Sequence, residues 1–587
     1  MNFFKSFLAS CLGALVAMGV LVFLGISLLI GLASSVSTEE VTTVSSKSVL
    51  SLKLNAPISE MEVEDPVAEL FPGAANQSAG LLQLRTTILQ AKEDTNIEGI
   101  YLQTSMTQAG ITTLSEIRDA LNAFKSSGKW VVAYSTDYSE GAYYLSSVAD
   151  RIYMHPEGMV EFNGLAAEVT FFKKLFDNLE IRPEVFRVGE FKSAVEPFLR
   201  SDLSEENKLQ MNTMLHAIHS QMLADVSASR QIPVERLKAI ADDMLVRTAD
   251  QAVSEKLIDS LAYEDGALAD MRERLGLSKD GDISFVKYGR YKKAQTGTTS
   301  STSSNEIAVI VADGAIIPGK SDDGYVGDVT MVEALKRARE SSRVKAVVLR
   351  VNSPGGSFMA SDVMWNAIRE TSAEKPVIAS MGDYAASGGY YLSMACDSIV
   401  AKPTTITGSI GIFSVMFDLS QFLDHKLGIT SAEVKTGNIG DLVTVTRPLS
   451  DVEKGIWQKQ TDRIYEVFTR KAAEGRRMSQ DELKKIASGR VWTGSEAIEN
   501  GLVDKLGGFE DAVAMAAGAA GVDDYKLRYY PHQKTFVEKI MGNKDDDGVA
   551  RAIAQVLGDE SILYRQWLRI RQYQGVQARM PYQFEIH

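Results

Sequence analysis

The chain has 587 residues, more than the roughly 250 to 300 at which a single hydrophobic core stops growing, so at least two domains are expected. With 45% hydrophobic and 24% charged residues, the composition is that of a globular protein and excludes collagenous and largely disordered classes. The net charge of -14 argues against nucleic acid as the main partner, because an acidic surface repels phosphate. Two cysteines, Cys11 and Cys396, are too few for a disulfide framework or a cysteine-rich zinc site.

Residues 1–40 are predicted to be a membrane anchor. No Asp, Glu, Lys or Arg occurs between Lys5 and Glu39, and this apolar stretch exceeds the roughly 20 residues that a spanning helix needs. A cleaved signal peptide is the alternative, but its apolar region is normally only about 7 to 15 residues long. Lys5 before the span and the acidic residues after it favour an exported body. We therefore expect a single-pass anchor in the cytoplasmic (inner) membrane, with the body on the periplasmic side.

An internal repeat divides the chain into two halves. A Ser/Thr/Gly-rich run at 294–305 predicts a linker between them. The segment 141–164 (GAYYLSSVADRIYMHPEGMVEFNG) parallels 388–411 (GGYYLSMACDSIVAKPTTITGSIG) without a gap, at an offset of 247 (388 minus 141). GIYLQTSMTQAG and AVVLRVNSPGGS, at the same offset, each read as a buried strand that ends in a loop. The chain therefore contains a duplication.

The alternation of strands with helical segments in both halves indicates α/β domains with parallel strands. We predict one domain at 46–293, with a helical insertion at 203–245, and a similar one at 306–530. Residues 531–587 form a basic, aromatic tail, for which a helix packed on the body is favoured over a membrane-surface contact.

The second half carries three small-residue turns of the kind found at nucleophilic sites. Gly355 and Gly356 follow a strand, where their N–H groups have unhindered access to a reacting carbonyl group. Two further turns present Ser387 and Ser409. A serine needs a base to take its proton, and the histidine near these turns, His425, lies on a segment typical of a solvated helix. A lysine whose pKa is lowered by burial can replace histidine, but the residues alone do not choose among the lysines.

Several separate motifs resemble one family. VNSPGGS, ASGGYYLS, TITGSIGIF and GRVWTGSEAIENGLVDKLGG, with FRVGEFKSAVEPF in the first half, are similar to the signal peptide peptidases of the protease IV type, over about residues 48–525. The resemblance implies tandem Clp-protease/crotonase-like domains and peptide cleavage by a Ser/Lys dyad. It also implies a ring-like homo-oligomer, expected to be a tetramer, and no metal or organic cofactor.

Carried over by motif, the resemblance places the nucleophile at Ser409 and the general base at Lys192. The oxyanion hole falls on the backbone of Gly355 and Gly356. Ser387 is the rival nucleophile, since related Clp proteases keep their serine at that position, but those enzymes use a histidine that this chain does not visibly supply.

The duplication provides an independent argument for a shared site. At the offset of 247, Ser409 corresponds to Phe162, so the first half lacks that serine. At an offset of 248, Lys192 corresponds to Gly440, so the second half lacks that lysine. A dyad must therefore be assembled across the two halves or between protomers.

Two further questions concern the surroundings of Lys192. Family members hold the lysine with a second hydroxyl, for which Ser431 and Thr436 are candidates. Glu190 and Glu196 would raise the pKa of the lysine if they faced its amine, so they are expected to point away.

The resemblance implies a membrane-anchored endopeptidase that degrades cleaved signal peptides and other apolar peptides, with the lipid bilayer as its second partner. Two alternatives remain: a crotonase-like acyl-CoA enzyme on the same scaffold, and an anchored scaffold without activity. Export disfavours the first, and intact candidate residues disfavour the second.

Overall fold

A computed structural model describes Val20 and residues 44–62, 79–296, 303–322, 324–531 and 575–580. Apart from Val20, the predicted anchor lies outside these residues, as does most of the predicted tail. Within the described ranges, no helix combines the length and the apolar character that a membrane span requires.

Twenty-two strands are present in the described part of the chain. In chain order they are β1 (Ser48–Lys53), β2 (Ile58–Ser59), β3 (Ala79–Gly80), β4 (Ile97–Gln103), β5 (Trp130–Ser135), β6 (Arg151–Met154), β7 (Arg182–Val188), β8 (Ser260–Leu261), β9 (Phe285–Lys287), β10 (Glu306–Asp313), β11 (Ala315–Ile317), β12 (Tyr325–Gly327), β13 (Val344–Ser353), β14 (Gly355–Ser357), β15 (Val377–Ala386), β16 (Ser398–Ala401), β17 (Ile406–Gly408), β18 (Ile412–Asp418), β19 (Val491–Thr493), β20 (Lys505–Leu506), β21 (Lys526–Tyr530) and β22 (Gly575–Arg579).

Helices connect most of these strands. The α-helices are Leu81–Glu93, Ile111–Lys125, Glu140–Ser146, Lys173–Leu179, Glu196–Leu199, Glu205–Arg230, Val234–Asp242, Ala249–Ser254, Glu264–Leu275, Tyr288–Thr296, Asp328–Glu340, Phe358–Ser372, Gly388–Ser393, Asp451–Arg476, Gln480–Ile486, Gly494–Glu499 and Phe509–Ala520, with a 3₁₀ turn at Ser193–Val195 and a π-helical turn at Phe422–Lys426. The helix Tyr288–Thr296 continues into the segment that the sequence predicts as linker.

Each half is built on its own parallel sheet. The first has the order β8-β6-β5-β4-β1-β9, and the second has the order β19-β17-β15-β13-β10-β21, in which the β17–β19 pair is antiparallel. Strands such as β13, which read as nearly continuous apolar runs, are covered by helices on both faces. The prediction of two tandem α/β domains is confirmed.

A third sheet joins the halves, with the order β12-β11-β14-β22-β18-β7. Its strand β7 belongs to the first half and pairs antiparallel with β18 of the second, from Ile412 opposite Val188 to Asp418 opposite Arg182. Because Lys192 follows β7 by four residues and Ser409 precedes β18 by three, this pairing brings the two residues to the same end of the sheet.

Two buried polar clusters also connect the halves. The Asp383 carboxylate accepts hydrogen bonds from the N–H groups of Thr112 (2.8 Å) and Thr113 (3.1 Å) at the start of the helix Ile111–Lys125. A negative charge at this position is favoured by the helix dipole. The two threonines belong to the first half and Asp383 to the second, so this contact fixes how the halves are docked.

The second cluster is centred on Arg350 of β13, which is completely buried. Its guanidinium donates two bonds of 2.9 Å to Glu60 and one of 2.7 Å to Glu116, both in the first half. Burial raises the pKa of Glu60 to about 7, even with Arg350 opposing it. Burial would also raise the pKa of Glu116, but Arg350 and Arg85 hold it below its ordinary value. The guanidinium therefore helps to keep Glu116 ionised, whereas Glu60 exchanges its proton near neutral pH.

Replacing Arg350 should destabilise the docked halves. Arg350→Met leaves the buried Glu60 without its cation and Glu116 with Arg85 alone, and removing one partner of a buried ion pair costs about 3 to 5 kcal/mol. The control is Arg339→Met, which removes an ion pair with the exposed Glu370 and should cost at most about 1 kcal/mol. Urea unfolding measures both. Equal midpoints for the two variants would contradict a structural role for the cluster.

Candidate active site

Ser387 occupies a sharp turn between a strand and a helix. It follows β15 and immediately precedes the helix Gly388–Ser393, with φ 56° and ψ -110°, a conformation that side-chain-bearing residues seldom adopt. Its N–H donates to the carbonyl oxygen of Gly408 at 2.8 Å. The surrounding ladder therefore holds the side chain in a fixed position, and such local strain is typical of functional sites.

Ser409 lies beside Ser387 because β15 and β17 are paired. The register sets Ala386 opposite Gly408, so the residue that follows each strand falls at the same level. Ser409 is also fully buried, with φ 51°, and its N–H donates to the carbonyl oxygen of Arg490 at 2.7 Å. Both predicted serines thus enter one site.

Lys192 reaches this site from the first half. Its side chain is fully buried, and its backbone packs against Gly489, where an added Cβ would lie 2.7 Å from both the nitrogen and the Cβ of the lysine. Gly489 also has a φ of +78°, which favours glycine. An added Cβ at Gly411 would lie 3.1 Å from the lysine Cδ, so two glycines of the second half make room for a side chain of the first.

The Lys192 amine contacts three oxygen atoms. Nζ lies 2.8 Å from Ser387 Oγ, 3.1 Å from Ser409 Oγ and 3.0 Å from the Ser409 carbonyl oxygen. A neutral amine has two N–H donors and one lone pair, so three such contacts use its full hydrogen-bonding capacity. The carbonyl oxygen accepts one N–H, which leaves one donor and the lone pair for the two hydroxyl groups.

Burial lowers the pKa of Lys192 well below its ordinary value. The two neighbouring glutamates do not oppose this effect. Glu190 is exposed, whereas the Glu196 carboxylate is turned to Ser204 and to Asn207, whose side-chain amide donates to it at 2.8 Å. The site therefore stabilises a neutral amine, the form that accepts a proton.

The glycine pair lies next to Ser387. Gly355 has a φ of +95°, and a Cβ added there would overlap the carbonyl oxygen of Ala578 and lie 2.6 Å from the nitrogen of Gly388. A Cβ added at Gly388 would lie 3.0 Å from the same Ala578 oxygen. Backbone groups of the glycine pair and of the residue after Ser387 thus surround one carbonyl oxygen, which belongs to β22. The position of Gly388 was missed in the sequence, although the ASGG motif contains it.

The other hydroxyl and imidazole candidates lie elsewhere. Ser431 and Thr436 are exposed on the segment after the π-helical turn, and the hydroxyls that contact Lys192 are those of Ser387 and Ser409. His425 is also exposed, and its Nδ1 lies 2.5 Å from Glu180. The candidates for orienting the lysine are therefore corrected to the two serines of the site.

The equivalent turn of the first half carries different side chains. At the offset of 247, Ser387 corresponds to Glu140, whose carboxylate accepts hydrogen bonds from the N–H groups of Asn163 and Gly164. Burial raises the pKa of Glu140 to about 7. With a glutamate at the serine position and Phe162 at the position of Ser409, this turn carries neither hydroxyl.

Comparisons with known proteins identify the family. The model for peptidase family S49 matches the chain twice, at residues 123–278 and 369–523. Protease 4 of Salmonella typhi is 38% identical over 81% of this chain and 78% of its own length, and Protease 4 of Haemophilus influenzae is 35% identical over 90% and 89%. The chloroplastic serine protease SPPA of Arabidopsis thaliana is 32% identical over 89% and 77%. The chain therefore belongs to peptidase family S49 and is a serine protease of the double-length protease IV type.

Proposed function

We propose that Ser387 is the nucleophile, that Lys192 is its general base, and that Ser409 positions the lysine. The sequence favours Ser409 as nucleophile, so this proposal exchanges the roles of the two serines. Its main support is the carbonyl oxygen of Ala578, which lies against Gly355 and Gly388. Because a nucleophile attacks the carbonyl carbon whose oxygen sits in the oxyanion hole, the serine that adjoins Gly388 is the better placed of the two.

The contacts of Lys192 support the same assignment. The amine lies closer to Ser387 Oγ, at 2.8 Å, than to Ser409 Oγ, at 3.1 Å. It also contacts the Ser409 carbonyl oxygen, so Ser409 holds it at two atoms. When the neutral Lys192 amine donates both of its N–H groups to Ser409, its lone pair is directed to the Ser387 hydroxyl.

The mechanism follows from these contacts. Ser387 Oγ attacks the substrate carbonyl carbon while Lys192 takes the hydroxyl proton. The oxyanion is stabilised by the backbone N–H groups of Gly356 and Gly388. The Gly355 N–H is not part of this set, because it donates to Ser353 Oγ at 3.2 Å. Lys192 then delivers the proton to the leaving amine, and the resulting ester is hydrolysed by water with Lys192 again as the base.

We further propose that the substrates are cleaved signal peptides and other apolar peptides. The surroundings of β22 support this, because its Ala578 and the adjoining Met580 lie within hydrophobic core clusters of the second and first halves, respectively. Apolar surroundings of this kind favour extended apolar chains. The duplicated parallel sheets and the glycine turn after β13 support Clp-protease/crotonase-like domains as the scaffold.

Assembly into a ring-like oligomer, with four subunits expected, is also part of the proposal. It is supported by a group of exposed apolar side chains after the π-helical turn, namely Leu427, Ile429, Val434, Ile439, Val443 and Val445. Large exposed apolar patches are typical of interaction surfaces.

The role of each serine can be tested with a fluorophosphonate probe and a fluorogenic peptide. Ser387→Ala should lower kcat by about 10⁴-fold or more and abolish labelling, because the attacking oxygen is lost. Ser409→Ala keeps that oxygen but removes a contact that holds the Lys192 amine in place. Its kcat should therefore fall about 10²-fold, and the probe should still label Ser387.

Ser393→Ala is the matched control, because this serine is also buried but donates only to the Gly389 carbonyl oxygen in its own helix. Its activity should match that of the unmodified chain. A probe attached to Ser409 would restore the assignment favoured by the sequence.

The protonation state of Lys192 predicts a pH profile. The amine is a base only when neutral, and burial lowers its pKa, so kcat/KM should rise with pH through a value well below the ordinary lysine pKa of about 10.4. Lys192→Arg should be inactive, because guanidinium stays protonated. Lys208→Arg, on an exposed lysine paired with Glu205, should match the unmodified chain. An acidic limb near the ordinary lysine pKa, or an active Lys192→Arg, would exclude Lys192 as the base.

We propose a single-pass anchor in the inner membrane, with the catalytic body on the periplasmic side, because the uncharged stretch from Ser6 to Thr38 is long enough to span a bilayer. The full chain should remain in the membrane pellet after a carbonate wash with its N-terminal segment intact. A shortened, soluble product would instead support a cleaved signal peptide.

A further inference from the structure

The helix Glu205–Arg230 carries two buried side-chain amides near its start. Asn207 and Gln210 are 0% and 2% exposed, and they share the buried side of the helix with the apolar Met211 and Met214. Residues three apart in a helix lie on the same side, so the two amides reach the same region. A buried amide is costly when its polar atoms have no partners, so the partners of Gln210 indicate its role.

Gln210 donates hydrogen bonds to the residues on both sides of Lys192. Its Nε2 lies 3.2 Å from the Phe191 carbonyl oxygen and 2.9 Å from Ser193 Oγ. The Phe191 carbonyl group belongs to the same peptide unit as the Lys192 nitrogen, and Ser193 begins the 3₁₀ turn that follows. The amide therefore holds the backbone from which the lysine side chain extends to the two serines.

The oxygen of the same amide contacts the second half. Gln210 Oε1 accepts a hydrogen bond from the Val491 N–H of β19 at 3.4 Å. Val491 lies opposite Gly408 in the β17–β19 pair, and Gly408 immediately precedes Ser409. One side chain thus connects the segment that carries the lysine with the strand pair that leads to a serine of the site.

The two backbone partners fix the orientation of the amide. A carbonyl oxygen only accepts and an N–H only donates, so Nε2 must face Phe191 and Oε1 must face Val491. An ionised glutamate at position 210 would keep the second contact but would have no donor for the first. A methionine would make neither. The position therefore requires both polar ends of a glutamine.

The charged side chains that adjoin the lysine segment are directed elsewhere. The Glu196 carboxylate accepts from the Asn207 side-chain amide at 2.8 Å, and the Arg490 guanidinium lies over the Trp492 ring, 4.1 Å from its centre. Gln210 itself is neutral. It therefore holds the segment without placing beside Lys192 a carboxylate that would favour the protonated amine.

We propose that Gln210 is a positioning residue of the peptidase site, which holds the Lys192 segment of the first half against β19 of the second and so keeps the amine enclosed between the two serines. The proposal rests on the peptidase function proposed above. Without these hydrogen bonds, the segment should more often adopt an open arrangement in which the amine is hydrated and protonated. The acidic limb of the pH profile would then move to higher pH, by about one unit for each tenfold gain of that open, protonated form.

The first measurement is the pH profile of kcat/KM for the full chain in detergent micelles, with an apolar fluorogenic peptide. Gln210→Met keeps the length of the side chain and removes its hydrogen bonds. Its acidic limb should lie about one unit or more above that of the unmodified chain, and the rate at neutral pH should fall about tenfold or more. Most of this loss should be recovered at alkaline pH. Gln210→Glu should move the limb in the same direction, because it removes the donor and adds a carboxylate.

Gln221→Met is the matched control. Gln221 lies on the same helix, and its side-chain amide donates to Asp225 Oδ1 at 2.9 Å. Its pH profile should match that of the unmodified chain. Urea unfolding of both variants separates the two effects, since a loss of stability reduces the amount of folded enzyme but does not move the acidic limb.

The second measurement does not depend on catalysis. Trace acetic anhydride acylates neutral amines, and peptide mass spectrometry compares the acylation rate of Lys192 with that of Lys336, whose side chain is 62% exposed. At alkaline pH, this ratio should be about tenfold higher in Gln210→Met than in the unmodified chain, and it should be unchanged in Gln221→Met.

The two proposals fail separately. If the unmodified chain hydrolyses the peptide and the acidic limb of Gln210→Met does not move, the positioning role is overturned and the peptidase function stands. If the unmodified chain does not hydrolyse the peptide, the peptidase function is overturned and the acylation ratio decides the positioning role. An unchanged ratio in that case would overturn both.

Discussion

The site depends on the desolvation of the Lys192 amine. Among the residues that the structure describes, no carboxylate would neutralise an ammonium group in this position, whereas the neutral amine is satisfied by three oxygen atoms. The amine is enclosed only because Gly411 and Gly489 of the second half pack closely against the lysine. Desolvation and the docking of the two halves are therefore one requirement, and the proposed base acquires its chemistry when the halves meet.

The contacts between the halves are polar as well as apolar, which gives the docking a defined geometry. Asp383 caps a helix of the first half, and Arg350 donates hydrogen bonds to two carboxylates of the first half. A buried ion pair adds little net stability compared with apolar packing, but a misdocked arrangement leaves its charges unpaired. Such contacts restrict the halves to the arrangement in which β7 pairs with β18.

The fold could be predicted from the sequence because the two halves share recognisably similar segments. The segments 141–164 and 388–411 share a pattern of buried strand and short helix, and both halves have the expected parallel sheet. The meeting of Lys192 with Ser409 could be inferred because each half lacks what the other supplies. The exchange of roles proposed for Ser387 and Ser409 could not, since it rests on the positive φ of a turn and on contacts between residues that are distant in sequence. Nor does any local pattern indicate that β22 pairs with β14, because the partners are more than two hundred residues away.

The division of the proposed dyad between two halves has a consequence for biosynthesis. A ribosome that has completed the first half has made the lysine but neither of the serines, and the amine remains hydrated and protonated like that of any surface lysine. A nascent chain is therefore inert toward neighbouring polypeptides until its last strands have folded. A peptidase made in this order needs no separate inhibitor during synthesis.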